Sequence, residues 1–254
     1  MWVHNINPIL AKLGPFEIRW YGLIFVIGFL IAFFVLLKTA EKKKLPNFQK
    51  NDAYNLILYL LIGIIIGSRL FEIIFYHPVY YLNNPMEVFA VWHGGLSFHG
   101  GLVGAVIVGL LYARTKKIRF YDLADLLAIP AAIGLAFGRI GNFINGELWG
   151  TTTNLPWCVK FPKAEGCRHP SQLYESAKNF IVFFILLVLD KKERKPGFIF
   201  WHFVLLYGIG RFLVDFYRVG EAYFLGIQTG QWLCVAMVLI AMIFIIKKKY
   251  YSFS

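Results

Sequence analysis

Residues 56–67 read LILYLLIGIIIG and residues 233–246 read LCVAMVLIAMIFII, with no charged side chain in either run. A helix that crosses the hydrocarbon core of a bilayer needs about 20 mostly apolar residues. Hydrophobic residues make up 58% of the 254-residue chain and charged residues 16%, against roughly 45–50% and 25% in soluble domains. This composition excludes a soluble enzyme, a disordered chain and a small disulfide-stabilised scaffold.

Seven segments are apolar enough to be predicted as membrane-spanning helices: residues 21–37, 53–76, 96–112, 121–138, 177–189, 198–217 and 231–246. The first residues contain no basic segment followed by an apolar core, so we expect no cleaved signal peptide. No internal repeat or soluble domain interrupts the spans. We therefore predict an all-α polytopic membrane protein in which residues 1–254 form a single integral-membrane domain.

The basic residues set the predicted orientation. The net charge is +12, and 16 of the 26 Lys and Arg residues lie directly after the first, third, fifth and seventh spans. Residues 77–95, after the second span, contain no Lys or Arg. Because short loops rich in Lys and Arg stay in the cytoplasm, the N-terminus is predicted outside and the C-terminus in the cytoplasm. The positive charge therefore reflects topology, and no nucleic-acid partner is expected.

Charged side chains inside membrane spans are costly and usually mark functional sites. Five of them lie near the outer ends of the predicted spans, given a helical rise of about 1.5 Å per residue: Arg69, Glu72, Arg139, Arg211 and Asp215. Arg69 and Glu72 are three residues apart, and Arg211 and Asp215 are four apart. Both spacings predict ion pairs on one face of a helix.

Two glycine-rich segments resist a purely structural interpretation: HGGLSFHGGL at residues 93–102 and GRIGNFINGELWG at residues 138–150. Irregular backbone at membrane depth is tolerated only where it is buried in protein or lines a cavity. Arg139 has no carboxylate one helical turn before it, so Glu147 or an anionic phosphate is its predicted partner. The two segments together predict a polar cavity open to the outer leaflet, in which His99 is either a packed histidine or a base.

These segments resemble the bacterial prolipoprotein diacylglyceryl transferase family. Residues 138–150 match its pattern Gly-Arg-x-Gly-Asn-Phe-x-Asn-x-Glu-x-x-Gly throughout. Four further segments resemble family motifs: RWYGL at 19–23, HGGLSFHGGL at 93–102, HPSQLYE at 169–175 and YGIGRFLVDFYR at 207–218. Two positions depart from the family: Asp215 stands where Glu is expected, and Thr151 where many members carry a basic residue.

The resemblance implies an enzyme that moves the diacylglyceryl group of phosphatidylglycerol to a cysteine thiol and releases glycerol phosphate. The acceptor cysteine would lie in the lipobox of a preprolipoprotein signal peptide, so the expected partners are phosphatidylglycerol, these peptides and membrane lipids. The expected location is the bacterial cytoplasmic (inner) membrane, with the active site facing the outer leaflet. No cofactor and no metal are expected, since the sequence has no carboxylate-rich motif and no histidine pair at helical spacing.

The chemistry assigns expected roles to the motif residues. The thiolate is the nucleophile, so His99 is the candidate base; alternatively, the charge of Arg139 lowers the pKa of the thiol. Arg139 and Arg211 are expected to stabilise charge on the departing phosphate. Tyr21 and Tyr207 are expected to donate hydrogen bonds to phosphate or to position His99. The expected substrate-binding residues are Arg139, Asn142, Asn145, Glu147 and Gly150.

Several alternatives remain open at this level. A secondary transporter or channel for an anionic solute also places charges inside the membrane. Another membrane transferase, acting on polyprenyl or phospholipid phosphates, would use the arginines in the same way. Cys158 and Cys167 share a predicted outer loop, where they form a disulfide or remain free thiols. Residues 169–175 are expected to anchor that loop.

Overall fold

The apolar runs form helices in the computed structural model, which describes residues 2–13, 16–43, 45–91, 94–192, 195–220 and 223–248. The α-helices within these ranges are α1 (Trp20–Lys43), α2 (Lys50–Phe71), α3 (Pro78–Asn83), α4 (Phe98–Lys116), α5 (Phe120–Ile144), α6 (Ser171–Leu189), α7 (Phe198–Asp215) and α8 (Thr229–Lys247). A π-helical turn at Glu72–Tyr76 extends α2, and a 3₁₀ turn at Pro85–Val88 follows α3.

Six helices of the described part of the chain are long and apolar enough to cross a membrane: Gly22–Lys42, Lys50–Tyr76, Phe120–Ile144, Ser171–Leu189, Phe198–Asp215 and Thr229–Lys247. The protein is therefore a mostly helical, multi-pass membrane protein. The predicted span at residues 96–112 corresponds to α4, which is not among the six.

Three predicted spans end or begin six residues from the observed helix boundary. Helix α1 continues to Lys43, where we predicted an end at residue 37. Helix α5 continues through Gly138 and Gly141 to Ile144, where we predicted an end at residue 138. Helix α6 begins at Ser171, six residues before the predicted span. The first two turns of α6 are rich in polar residues, so a prediction based on apolar content did not include them. Most of these polar side chains are buried in the protein, so the start of the helix is stabilised by internal contacts.

The chain divides into two compact units, Met1–Leu36 with Leu127–Ser254 and Leu37–Leu126. In the second unit α2 packs against α4 at glycines on both helices. A Cβ atom at Gly100 would overlap the backbone carbonyl of Gly67, and one at Gly104 would overlap that of Gly63. Small residues allow helix backbones to approach closely in membranes, so this contact depends on their lack of side chains.

Arg69, in the second unit, organises the segment between α2 and α4. The residue is 5% exposed, and its guanidinium donates to five backbone carbonyls, those of Glu87, Val88, Ala90, Gly94 and Gly95. Glu72 lies in the π-helical turn and contacts His77 Nδ1 at 2.8 Å. The predicted Arg69–Glu72 ion pair is therefore wrong, because backbone oxygens occupy all five donors of the guanidinium.

The core of the first unit lies between α5, α6 and α7. Ile129 and Ala132 of α5, Leu186 of α6 and Phe198 of α7 are fully buried against one another. Helix α8 packs along α7, with the rings of Trp201 and Phe244 stacked 4.2 Å apart. This packing holds α5, α6, α7 and α8 together in the first unit.

Short strands, which the all-α expectation omitted, complete the first unit. β1 (Trp2–Val3) pairs in parallel with β4 (Val159–Lys160), β2 (Ile9–Leu13) pairs with β3 (Phe16–Arg19), and β5 (Tyr223–Phe224) pairs with β6 (Ile227–Gln228). His4, after β1, donates from Nε2 to the carbonyl of Phe143 at 2.8 Å. A disulfide joins Cys158 to Cys167 beside β4. These contacts hold the loop that follows α5.

Candidate active site

The last turns of α5 begin a chain of polar contacts that links Arg139 to Glu147. Arg139 Nη1 donates to Asn142 Oδ1 at 3.4 Å, and Asn142 Nδ2 donates to Glu147 Oε1 at 2.7 Å. Beyond the helix, Gly146 adopts a φ of +65°, which turns the chain so that the Glu147 amide donates to the Asn142 carbonyl. Glu147 therefore reaches Arg139 through the Asn142 amide and not as a direct partner.

Arg211 on α7 is held by two buried carboxylates. Its Nη1 donates to Glu175 Oε1 at 2.7 Å, while its Nε and Nη2 each lie 3.1 Å from an oxygen of Asp215. Both carboxylate side chains are 2% exposed. The predicted pair of Arg211 with Asp215 is confirmed. The shorter Asp side chain reaches the guanidinium with both of its oxygens.

Arg139 is bound far more loosely than Arg211. Its Nε lies 3.9 Å from Glu175 Oε2, and the bond to Asn142 is at the long end of the hydrogen-bond range. The side chain is 23% exposed. Among the described residues Arg139 has no third polar partner, so most of its donors are available to a ligand.

Lys178 brings another positive charge to Glu175. Its Nζ lies 3.1 Å from Glu175 Oε2 and 3.9 Å from the centre of the Tyr207 ring. The side chain is 9% exposed. The charged cluster comprises Arg139, Glu175, Lys178, Arg211 and Asp215. Tyr207, a predicted site residue, therefore contacts this cluster through its ring face, which attracts the ammonium group.

Arg218 adds a further cation just beyond α7. Its Nη1 lies 3.8 Å from Asp215 Oδ1. Burial, followed by the positive charges of Arg211 and Arg139, lowers the pKa of Arg218. The guanidinium keeps its proton at neutral pH, as arginine does in proteins generally. The lowered pKa therefore marks a region crowded with cations.

Gly150 lies where three chain segments meet. Its amide donates to the carbonyl of His169 at 2.9 Å, and its carbonyl accepts from Arg168 Nη1 at 3.2 Å. A Cβ atom at this position would overlap the carbonyl oxygen of Tyr217 and lie 2.8 Å from His169 Cβ. Both backbone groups of Gly150 are thus used within the protein, and only glycine fits the space.

Three predicted residues have other surroundings or side chains that are not described. The Asn145 side chain is partly buried and has no hydrogen bond within the described ranges. His99, in the second unit, is exposed in the first turn of α4, with Tyr76 Oη 3.4 Å from its Nδ1. Tyr21 belongs to α1, but its side chain lies outside the described residues.

Sequence reasoning missed three members of the cluster: Glu175, Lys178 and Arg218. Glu175 ends the segment that we expected only to anchor a loop, and it contacts both predicted arginines and Lys178. Polar residues at three- and four-residue spacing at positions 171–179 were the signal for a helix with a polar internal face. Lys178 lies on that face, one turn after Glu175.

Comparison with known proteins identifies the family. The family model described as prolipoprotein diacylglyceryl transferase matches residues 8–247. The chain belongs to this family. A protein of Geobacter sulfurreducens named phosphatidylglycerol–prolipoprotein diacylglyceryl transferase is 46% identical over 230 residues, which cover 90% of this chain and 88% of the relative.

Two other relatives of the same name agree with this assignment. The Bordetella parapertussis protein is 42% identical over 92% of both chains, and the Idiomarina loihiensis protein is 40% identical over 96% of this chain and 94% of its own. Membership of the prolipoprotein diacylglyceryl transferase family confirms the resemblance carried by the five motifs. It does not favour a transporter or channel.

Proposed function

We propose that this chain transfers the diacylglyceryl group of phosphatidylglycerol to the lipobox cysteine of preprolipoproteins. The cysteine sulfur forms a bond to the glyceryl carbon, and the bond from that carbon to the phosphate oxygen breaks. The thiol proton passes to a base, and glycerol phosphate leaves with the electron pair of the broken bond. The observation that carries the proposal is the loosely held Arg139 beside a buried cluster of charges, in a member of a family named for this reaction.

Arg139 is suited to bind the lipid phosphate. A guanidinium presents donors in a fixed fork that matches phosphate oxygens, and those of Arg139 are largely uncommitted. Arg211 is held by carboxylates on all three of its nitrogens, so it acts mainly as a fixed positive charge. Fixed charges in a site with little water stabilise the negative charge that develops on the leaving phosphate.

Asn142, Asn145 and Glu147 would orient the head-group glycerol next to Arg139. The Asn142 amide already links Arg139 to Glu147, and the exposed Glu147 carboxylate has one oxygen with no bond in the described chain. Hydroxyl groups of a glycerol donate readily to such an oxygen. Gly150 would contribute by allowing the close packing that holds the end of this loop.

Deprotonation of the thiol has two candidate routes. His99 would act as the base, since imidazole is the side-chain group that exchanges a proton most readily near neutral pH, and Tyr76 would fix its ring. Alternatively, the charge of Arg139 would lower the pKa of the bound thiol. Tyr21 would support His99 or the phosphate, and Tyr207 would act through Lys178.

The proposed topology has seven spans, including α4, with the N-terminus outside and the C-terminus in the cytoplasm. The basic residues after α1, α4, α6 and α8 support this orientation. The Cys158–Cys167 disulfide supports it as well, because disulfides persist outside the reducing cytoplasm. The site would then face the outer leaflet of the bacterial cytoplasmic membrane, and the whole chain would act as one transferase domain.

A single reaction tests this function. The purified protein is incubated in detergent with phosphatidylglycerol and a peptide that contains a lipobox cysteine. We expect a diacylglyceryl mass increment on the peptide and stoichiometric release of glycerol phosphate. A peptide with Ser in place of the cysteine is the control and should remain unmodified. Absence of the adduct, under conditions in which the Geobacter sulfurreducens relative forms it, would refute the proposal.

A further inference from the structure

Lys178 reaches the cluster by an unusual path. Its stem crosses α7 at Gly210, where a Cβ atom would lie only 2.5 Å from Lys178 Cγ and 2.6 Å from Cδ. Any side chain at position 210 would block the stem. The lysine and the glycine therefore form a matched pair that delivers an ammonium group into the interior between α6 and α7.

The ammonium group meets the same oxygen that Arg139 approaches. Lys178 Nζ lies 3.1 Å from Glu175 Oε2, whereas Arg139 Nε lies 3.9 Å from it. The other oxygen, Oε1, is taken by Arg211. Lys178 therefore occupies the position on Glu175 that Arg139 would otherwise use for a short ion pair.

The charge balance of the cluster also indicates that Arg139 is available to an anionic ligand. Four cations, Arg139, Lys178, Arg211 and Arg218, share two buried carboxylates, Glu175 and Asp215. Unpaired charge is costly away from water, so this excess of positive charge favours an incoming anion. Removal of the Lys178 charge would reduce the excess of positive charge and would allow Arg139 to form a short ion pair with Glu175.

We propose that Lys178 is a positioning residue for lipid binding: it holds Glu175 Oε2 and thereby keeps Arg139 free to bind the phosphate of an anionic phospholipid. This inference rests on the proposed function, since it takes phosphatidylglycerol to be the ligand of Arg139. In this proposal Lys178 does not contact the lipid. Lys178 affects lipid affinity only through its ion pair with Glu175.

The first test is equilibrium binding of fluorescent phosphatidylglycerol and phosphatidylcholine in detergent, which requires no turnover. Lys178→Met removes the charge but keeps an unbranched stem over Gly210. We expect the variant to bind phosphatidylglycerol about 10- to 100-fold more weakly, the range for a hydrogen bond to a charged group. Its affinity for phosphatidylcholine should not change. The matched control is Lys163→Met, at an exposed position outside the cluster, which should bind both lipids like the wild type.

The second test asks whether the effect depends on Glu175. In a Glu175→Gln background no carboxylate competes for Arg139, so adding Lys178→Met should change phosphatidylglycerol affinity by less than about threefold. If Lys178→Met alone is unstable, the Glu175→Gln background still tests the proposal, because a loss of more than about threefold there would overturn it. An equal loss of affinity in both backgrounds would overturn the proposal.

The outcomes also separate this inference from the proposed function. A wild-type protein that shows no preference for phosphatidylglycerol and forms no adduct would refute both. A wild-type protein that prefers phosphatidylglycerol and forms the adduct, with a Lys178→Met variant of unchanged affinity, would refute only the role of Lys178.

Discussion

Glu175 and Arg211 form a buried ion pair that joins α6 to α7, with 2.7 Å between Oε1 and Nη1. The glutamate side chain is 2% exposed and the arginine side chain 20%. Charges removed from water in this way are stable only when they are paired and hydrogen-bonded. Glu175 meets this condition with three cations, and it is therefore the centre of the charged cluster.

Removal of the Glu175 carboxylate should damage both stability and activity. Glu175→Ala leaves buried cations without their partner, which typically costs about 3–5 kcal/mol. We expect a lower unfolding temperature in detergent and a large loss of transfer to the lipobox peptide. Glu165→Ala, on an exposed loop, is the control and should change neither quantity. A Glu175→Ala variant that unfolds at the same temperature as the wild type would contradict the central role of this residue.

Replacement of Arg139 and of Arg211 by alanine should have different effects on protein stability. Arg139→Ala removes a loosely held guanidinium, so we expect near-normal stability and a rate about 10²- to 10³-fold lower, as for the loss of one stabilising donor. Arg211→Ala leaves Glu175 and Asp215 without their main partner and should lower the unfolding temperature as well. Thermal unfolding and single-turnover rates measured on the same preparations distinguish the variants. Equal destabilisation by both substitutions would show that Arg139 is a structural residue.

Gly150→Ala should destabilise the protein because its Cβ atom would overlap the Tyr217 carbonyl oxygen. Overpacking of this kind costs about 1–3 kcal/mol. The matched control is Gly134→Ala on α5, where the new Cβ atom would meet only Ala32 Cβ at 3.8 Å, an ordinary contact. We expect the unfolding temperature to fall for the first variant alone. A Gly150→Ala protein as stable as the control would disprove the close packing at this position.

The disulfide gives a direct measurement of orientation. In intact cells, a membrane-impermeant maleimide should label Cys158 and Cys167 only after reduction, because the loop that holds them would face outward. The background is Cys234→Ala, which removes the buried third cysteine. Labelling that appears only after the membrane is opened would place the loop in the cytoplasm and reverse the proposed topology.

Much of the fold could be predicted from the sequence because lipid imposes simple requirements. Each long apolar run became a helix, since backbone groups in a bilayer must be satisfied within the segment. The start of α6 escaped prediction because its polar residues face the protein and not lipid. Hydropathy reports contact with lipid and carries little information about helices buried inside a membrane protein.

The charged cluster of the candidate site was anticipated in part, for a related reason. Polar side chains are unusual in or beside apolar segments, so each one is a candidate functional residue by itself. This criterion identified Arg139, Asn142, Glu147 and Arg211. Glu175 lies in a polar stretch that was interpreted as a loop, where charges are ordinary, and Lys178 is the second residue of the predicted span at 177–189. The Arg69–Glu72 pair failed because helical spacing takes no account of the backbone carbonyls of a distant loop, which compete for the same guanidinium.

The carbonyl contacts of Arg69 have a consequence for mutagenesis. The segment that they hold runs directly into Ser97, whose amide bonds to the Ser68 carbonyl and whose side chain caps α4 just before His99. Replacement of Arg69 would release this backbone and alter the start of α4, which carries the proposed base His99, although Arg69 itself has no proposed part in the reaction. An inactive Arg69 variant would therefore resemble a catalytic mutant in an activity screen. Active-site titration would distinguish the two, since it counts competent molecules and does not measure their turnover.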